Sequence, residues 1–266
     1  MFNKKSIVIA LAAALALGAS GAAMAAPINV GGVLLDPTQT FNPVLQAIDL
    51  HETSVSSSDT TLSGYGVIAS LNGASPVLGE NFCPGCNLTF TFSYTLESQN
   101  GDKAVFDNGV ANLYVIPAGT FNINDPASAV GTTPWLSLTG HTLAATGFST
   151  VGQLYATIFG TISAPGAGSS GFGYFDVSGG VAGKYFNTNS EPGGSDLSLA
   201  SSFQIPSPSF PNCTVTTGYP ICGTANLSGL LVMPVPEPGE LGMLGLGIGV
   251  LGFFFWRRRR ESDDRA

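Results

Sequence analysis

Basic residues are nearly absent from the middle of this chain. Across residues 26–234 only Lys103 and Lys184 carry positive charge. Against them stand Asp36, Asp49, Glu52, Asp59, Glu80, Glu97, Asp102, Asp107, Asp125, Asp176, Glu191 and Asp196. No basic patch is available to a phosphate backbone, which argues against nucleic acid as a partner. Anionic membranes and strongly acidic polymers are repelled as well. Histidine is also scarce, with His51 and His141 the two in the chain. His51-Glu52 lacks the second histidine of the metalloprotease helix motif. His141 follows Trp135–Gly140 and reads as a turn or core residue. There is no Gly-x-Ser-x-Gly elbow, no P-loop and no dinucleotide fingerprint. Glycoside hydrolysis needs two carboxylates about 5–10 Å apart, and the scattered acids single out no pair. Asn122-Ile123-Asn124-Asp125 offers oxygen atoms to calcium but lacks the EF-hand pattern, and reads as a turn. The expectation is a non-enzyme with no cofactor and no metal.

Lys, Arg, Glu and Gln, which favour helix surfaces, are few in this region, whereas Thr, Ser, Gly, Val, Phe and Tyr are plentiful. Leu88–Glu97 is the clearest strand. Leu88, Phe90, Phe92, Tyr94 and Leu96 alternate with Thr89, Thr91, Ser93, Thr95 and Glu97, which predicts an apolar face on a core and a Thr/Ser face in water. Asn100-Gly101 is a reversal signal. It predicts a return through Lys103–Phe106, a turn at Asp107-Asn108-Gly109 and a further strand over Val110–Ile116. Other strands are expected at Ser63–Leu71, Trp135–Leu138, Leu154–Ile162, Gly171–Val177, Leu197–Ile205, Cys213–Thr217 and Leu227–Val232. Pro43–Leu50 and Ser149–Leu154 are read as a turn or two of helix. Many short strands with Gly/Pro punctuation occur in sandwiches and barrels alike. The reading taken here is a mainly β, antiparallel β-sandwich or jelly-roll-like body.

Cysteine is sparse but even in number, with Cys83, Cys86, Cys213 and Cys222. Outside the cytoplasm that favours disulfides. Pro84-Gly85 suits the centre of a type II turn, and no βαβ pattern surrounds it, so Cys83-Pro84-Gly85-Cys86 reads as a staple rather than a redox motif. Cys213 and Cys222 flank Thr217-Gly218, opposite each other across a hairpin. The pairing expected is Cys83–Cys86 and Cys213–Cys222. The alternative of a four-cysteine zinc site is disfavoured by the long step within the second pair.

The two ends differ from the middle. Lys4 and Lys5 precede the apolar run Ile7–Ala19, and Ala23-Met24-Ala25 is a small-x-small site, so residues 1–25 read as a signal peptide cleaved by signal peptidase after Ala25. At the other end, residues 235–266 have three parts. Pro236, Glu237 and Pro238 hold the backbone extended. Leu241–Trp256 is uncharged and spans roughly 24 Å as a helix, short of a bilayer core of about 30 Å. Arg257, Arg258, Arg259 and Arg260 then hold the following residues on the cytoplasmic side. Residues 26–234 are left as a β-rich extracytoplasmic domain.

This tripartite tail resembles the PEP-CTERM sorting signal of exopolysaccharide-producing Gram-negative bacteria. The resemblance rests on Pro236-Glu237-Pro238, the Leu241–Trp256 span and Arg257–Arg260, in that order. It implies handling by an exosortase, a membrane-embedded cysteine peptidase, with a transient inner-membrane stage before the cell surface or the medium. Ser63–Ile68, Leu71-Asn72-Gly73, Phe175-Asp176-Val177 and Asp196–Phe203 also resemble segments of PEP-CTERM proteins without an assigned activity. The function expected is a structural or adhesive protein of the cell surface and extracellular matrix, with extracellular polysaccharide as its setting. The alternative is a glycan- or small-ligand-binding β-sandwich, with Tyr65, Tyr155, Tyr174 and Tyr185 as candidates for stacking on sugars. A secreted hydrolase lacks a recognisable catalytic constellation.

Overall fold

The computed structural model describes residues 27–36, 44–56, 58–76, 81–206 and 216–232. Two short strands, β1 (Ile28–Val30) and β2 (Val33–Leu35), form a hairpin of their own. The main sheet then begins with β3 (Leu45–Glu52), β4 (Thr61–Leu71), β5 (Cys86–Asn100), β6 (Lys103–Pro117), β7 (Pro134–Gly140) and β8 (Leu154–Thr157). A small ribbon, β9 (Gly160–Thr161) with β10 (Ala164–Pro165), interrupts it. The sheet resumes with β11 (Ser170–Gly179), β12 (Leu197–Gln204) and β13 (Ile221–Gly229).

Pairing runs β3–β4–β5–β6–β7–β11–β12–β13, and β13 pairs with β3 again, so eight antiparallel strands close a ring. The gap between β6 and β11 is shared end to end. β7 pairs with Val110–Tyr114 of β6, and β8 pairs with Lys103–Phe106. The body is therefore a closed antiparallel barrel, and the expected sandwich or jelly-roll is wrong. A sandwich has open edges on both sheets, whereas every edge in this ring is paired. Inward/outward alternation is the same in both architectures. What separates them is which distant strands meet, and here β12 is held on both sides, by β11 and β13.

Three local expectations also fail, two of them at bulges. Pro43–Leu50 is not helical; Leu45–Glu52 is strand β3. Opposite β13, Ala47 pairs with Ala225 and Leu50 with Gly223, so Ile48 and Asp49 face Thr224 alone. Ile48 is thrown outward and is 57 % exposed. The bulge shifts the buried set from Leu45 and Ala47 to Leu50 and Glu52. That broken period imitates a helix in the sequence. Asp107-Asn108-Gly109 is likewise no turn. Ser93 pairs with Val110 and Thr95 with Asp107, so Asn108 and Gly109 sit opposite Tyr94 and β6 runs on through them. Asn108 takes φ 53°, which lets the strand kink without ending. Ser149–Leu154 forms no helix either.

Strand β5 spans the alternating Leu88–Glu97 stretch and turns at Asn100-Gly101. Leu88, Phe90 and Tyr94 are buried inside. Thr89, expected in water, is 0 % exposed because the 3-10 turn Pro126–Ala129 lies over it, and its hydroxyl donates to the Ala129 carbonyl at 2.7 Å.

One end of the barrel is stoppered. Trp135 Nε1 donates to the Val30 carbonyl at 2.7 Å, pinning the β1–β2 hairpin. Leu34 N donates to the Phe82 carbonyl at 2.7 Å, bringing in the loop that carries the Cys83–Cys86 disulfide. The helical turn Gly183–Phe186 packs Phe186 edge-on against Trp135. Asp196, buried just before β12, ties this turn down. Its carboxylate accepts from Val177 N, Thr188 N and Asn189 N at 2.7, 2.6 and 2.7 Å.

Cys222 is also disulfide-bonded; Cys213 lies outside the described residues. Outside them too are Ala23, Ala25, Pro236, Glu237, Pro238, the expected membrane span Leu241–Trp256, and Arg257–Arg260. Among the described residues no helix is long and apolar enough to cross a membrane.

Candidate functional site

The barrel interior is not filled to the centre. Strand β4 turns Leu62, Gly64, Gly66 and Ile68 inward while Tyr65 faces out. Gly64 pairs with Phe92 and Gly66 with Phe90. Side chains on either glycine would collide with those rings and with the backbone carbonyls of His51 and Asp49. The two rings thus lie back against a bare stretch of wall. Ala47, Ala111 and Ala225 keep three other parts of the wall short. The result is a cavity of about 70 Å³ whose walls are almost wholly aliphatic and aromatic, including Leu50, Leu113, Leu138 and Phe175. A second void of about 30 Å³ lies towards the other mouth of the barrel, beneath Val55, Ile158 and Ile162. Glu52, Leu154 and Ser201 line both, and so form the neck between them.

Glu52 is the anomaly. It is 6 % exposed, and among the described residues no side chain or backbone group hydrogen-bonds to its carboxyl. Burial without a partner disfavours the charged form, and its pKa is pushed from the ordinary 4.5 up to about 8. At neutral pH the group is therefore a protonated acid, able to donate one hydrogen bond and accept others. Tyr94, 1 % exposed on the same wall, has a hydroxyl with no partner, and burial raises its pKa far above that of an ordinary phenol. Buried polar groups are normally satisfied. The Glu52 carboxyl instead lines the apolar cavity with no hydrogen-bond partner among the described residues, while the Tyr94 hydroxyl is shut into the packed wall without one.

Glu52 faces inward because of the Ile48 bulge. Without it, strict alternation from Leu45 and Ala47 would turn Asp49 and His51 to the core. His51 instead packs on the outside, buried between Tyr65, with ring centres 5.5 Å apart, and Thr216, whose hydroxyl is 3.4 Å from Nδ1. Burial lowers its pKa. Sequence reasoning missed the site altogether. Glu52 stood out only beside His51, and small residues scattered over four strands leave no linear signal.

Of the tyrosines considered for sugar stacking, Tyr174 is half-buried on β11 and none is exposed. Tyr65, Tyr155 and Tyr185 are buried. Tyr65 donates to the Ile123 carbonyl at 2.6 Å, and Tyr155 donates to the Leu143 carbonyl at 2.5 Å. His141 lies at the end of β7 with Nδ1 2.9 Å from both Asp176 oxygens, a partly exposed pair. Asp125 caps the 3-10 turn, accepting from Ala127 N at 3.0 Å. Among the described residues no group of three His, Cys, Asp or Glu side chains could hold a metal ion. Cys83 and Cys86 are bonded to each other at the stoppered end, remote in sequence from Glu52.

Residues 234–260 match the family model of the PEP-CTERM protein-sorting motif. The chain carries a PEP-CTERM sorting signal. The matched stretch takes in Pro236-Glu237-Pro238, the Leu241–Trp256 run and Arg257–Arg260. A PEP-CTERM signal implies export, passage through a membrane-anchored stage and an exosortase as processing partner. No curated protein and no solved structure matches the chain.

Proposed function

We propose that this exported protein is a small-ligand-binding barrel that holds a small apolar molecule in its interior and performs no catalysis on it. The observation that carries the reading is the apolar cavity with the unpartnered Glu52 carboxyl at its neck. An eight-stranded barrel has room inside either for its own side chains or for one small ligand. Empty apolar cavities of about 150 Å³ stay dry and accept benzene or xenon, and at about 70 Å³ this one is sized for xenon or a guest of a few heavy atoms. Support for a ligand of biological origin comes from the compartment. An exported binder meets molecules that a cytoplasmic one does not.

The test uses the mature protein released by the producing cells. Native mass spectrometry is expected to find a small molecule that leaves with organic solvent, and the emptied barrel is expected to take up xenon. Ala111→Leu fills the cavity and is expected to abolish both. A wild-type protein that emerges empty and takes up no xenon would sink the reading.

For location, we propose signal peptidase cleavage near Ala25, inner-membrane anchoring through Leu241–Trp256, and then release to the cell surface or matrix. Deleting Pro236–Ala266 is expected to move the protein from membrane and surface fractions into periplasm or medium. An unchanged distribution would remove the tail from the account. The tail supports export and processing, and neither it nor the barrel supplies a feature that supports the expected structural or adhesive role among exopolysaccharides.

A further inference from the structure

We propose that the barrel selects, among small apolar molecules, those carrying one uncharged head group that both donates and accepts hydrogen bonds, such as a hydroxyl or primary amide, and that Glu52 is the residue that recognises it. The inference rests on the ligand-binding reading above and adds the chemistry of the guest.

The argument starts from what the neck holds. Glu52 and Ser201 are the polar side chains common to both voids; Tyr94 lines one and Thr53 the other, and the remaining lining side chains are apolar. Ser201 already has a long hydrogen bond, its hydroxyl donating to the Gly171 carbonyl at 3.4 Å. The Glu52 carboxyl has none among the described residues, and the Tyr94 hydroxyl has none. A hydrocarbon would leave both orphans as they are. A guest with a hydroxyl or amide at its end satisfies the acid in both senses, accepting from its O–H and donating to its carbonyl.

Charged heads are disfavoured by the surroundings. Neither Lys103 nor Lys184 lines the cavity. A carboxylate guest would therefore bring an unpaired anion beside an acid that burial already keeps neutral. An ammonium guest would ionise Glu52, but burying such a pair costs more in desolvation than simple attraction returns unless further hydrogen bonds surround it. Beside Glu52 the neck offers the Ser201 hydroxyl alone, already donating to the Gly171 carbonyl, too little to solvate such a pair. The charged and titratable groups packed around Glu52 leave this balance to Glu52 itself. On its own strand Asp49 and His51 lie outside. Tyr65 of β4 faces out, Cys222 of β13 is disulfide-bonded, and Tyr94 of β5 stays a neutral phenol.

Seating a guest keeps solvent from Glu52 and so favours its protonated form further. Binding is thus expected to hold below about pH 8 and weaken above it, following the ionisation of this acid.

Nuclear magnetic resonance titrations of the full mature protein with propane, 1-propanol, propanamide, propanoate and propylamine, guests sized to the cavity, test this. Wild type at pH 7 is expected to bind 1-propanol and propanamide and to reject propanoate and propylamine. Glu52→Leu is expected to bind 1-propanol about tenfold more weakly and propane no more weakly, one tenfold step being the scale of one satisfied buried hydrogen bond. Glu52→Gln keeps a donor and an acceptor and is expected to retain 1-propanol while losing the pH dependence. Propane and 1-propanol bound alike, with neither changed in Glu52→Leu, would overturn head-group selection and leave the apolar cavity reading standing. Propanoate bound as tightly as 1-propanol at pH 7 would overturn it as well. Failure of every probe in wild type, xenon included, would overturn both.

Discussion

Replacing Glu52 with leucine is expected to raise the melting temperature by roughly 10 °C or more at pH 8, and by much less at pH 4.5. The reason lies in the difference between folded and unfolded acid. In the unfolded chain Glu52 ionises near 4.5, whereas in the barrel it holds its proton up to about pH 8. At pH 4 both states are protonated and the shift is without consequence. As pH rises through the interval, the unfolded state loses its proton first and gains stability relative to the fold. Each pH unit in that window removes about 1.4 kcal/mol from the folded state. Over the whole window the loss is about 4–5 kcal/mol, and it levels off above the folded value. Leucine at this position has no such term. Calorimetry of both proteins at pH 4.5, 6 and 8 isolates it, because the other titrating groups are common to both. Melting curves that differ by a constant amount at all three values would show that Glu52 is solvated and not buried neutral.

Asp196→Ala is expected to cost about 4 kcal/mol, the largest loss we anticipate from a single polar side chain. Asp196 is 2 % exposed and collects one backbone amide from β11 and two from the segment that follows the stoppering helical turn. Alanine removes three hydrogen bonds to a carboxylate, from Val177 N, Thr188 N and Asn189 N, each worth about 1.5–3 kcal/mol and less where water takes the carboxylate's place, as at the exposed Asn189. Asparagine is not a rescue, since one of its two ends is a donor facing donors. The comparison is Asp176→Asn. Asp176 pairs with His141 in a partly exposed setting, where ion pairs contribute less than about 1 kcal/mol. Thermal melts of the two variants are expected to differ by several degrees at the least. Equal effects would mean that the Asp196 amides find water when the carboxylate is gone.

Legibility in the sequence followed the range of the interaction. The sorting tail is linear and was readable as such. β5 was readable because Leu88–Glu97 alternates without a break and ends on Asn100-Gly101. β3 was not, because the Ile48 bulge splits its alternation into two half-periods. The same bulge decides that Glu52 and not His51 enters the barrel, so the candidate site inherited the error. Asp107-Asn108-Gly109 has the composition of a turn, yet its kink is absorbed opposite Tyr94 within a continuing ladder. Closure was beyond reach for a different reason. Pairing of Ile221–Leu227 with Leu45–Glu52 is a contact between distant segments that no local pattern encodes.

That closing pair sets a timetable for export. A chain delivered from its N-terminus presents β3 early and β13 last, so β3 waits with one edge unsatisfied while most of the body emerges. Unpaired edges recruit other chains, and pairings between remote segments form slowly. The final strand ends at Gly229, and the sorting motif begins at residue 234. The last rung of the ring thus emerges only a few residues ahead of the sorting motif, and once it pairs with β3 the ring offers no open edge to a neighbouring chain.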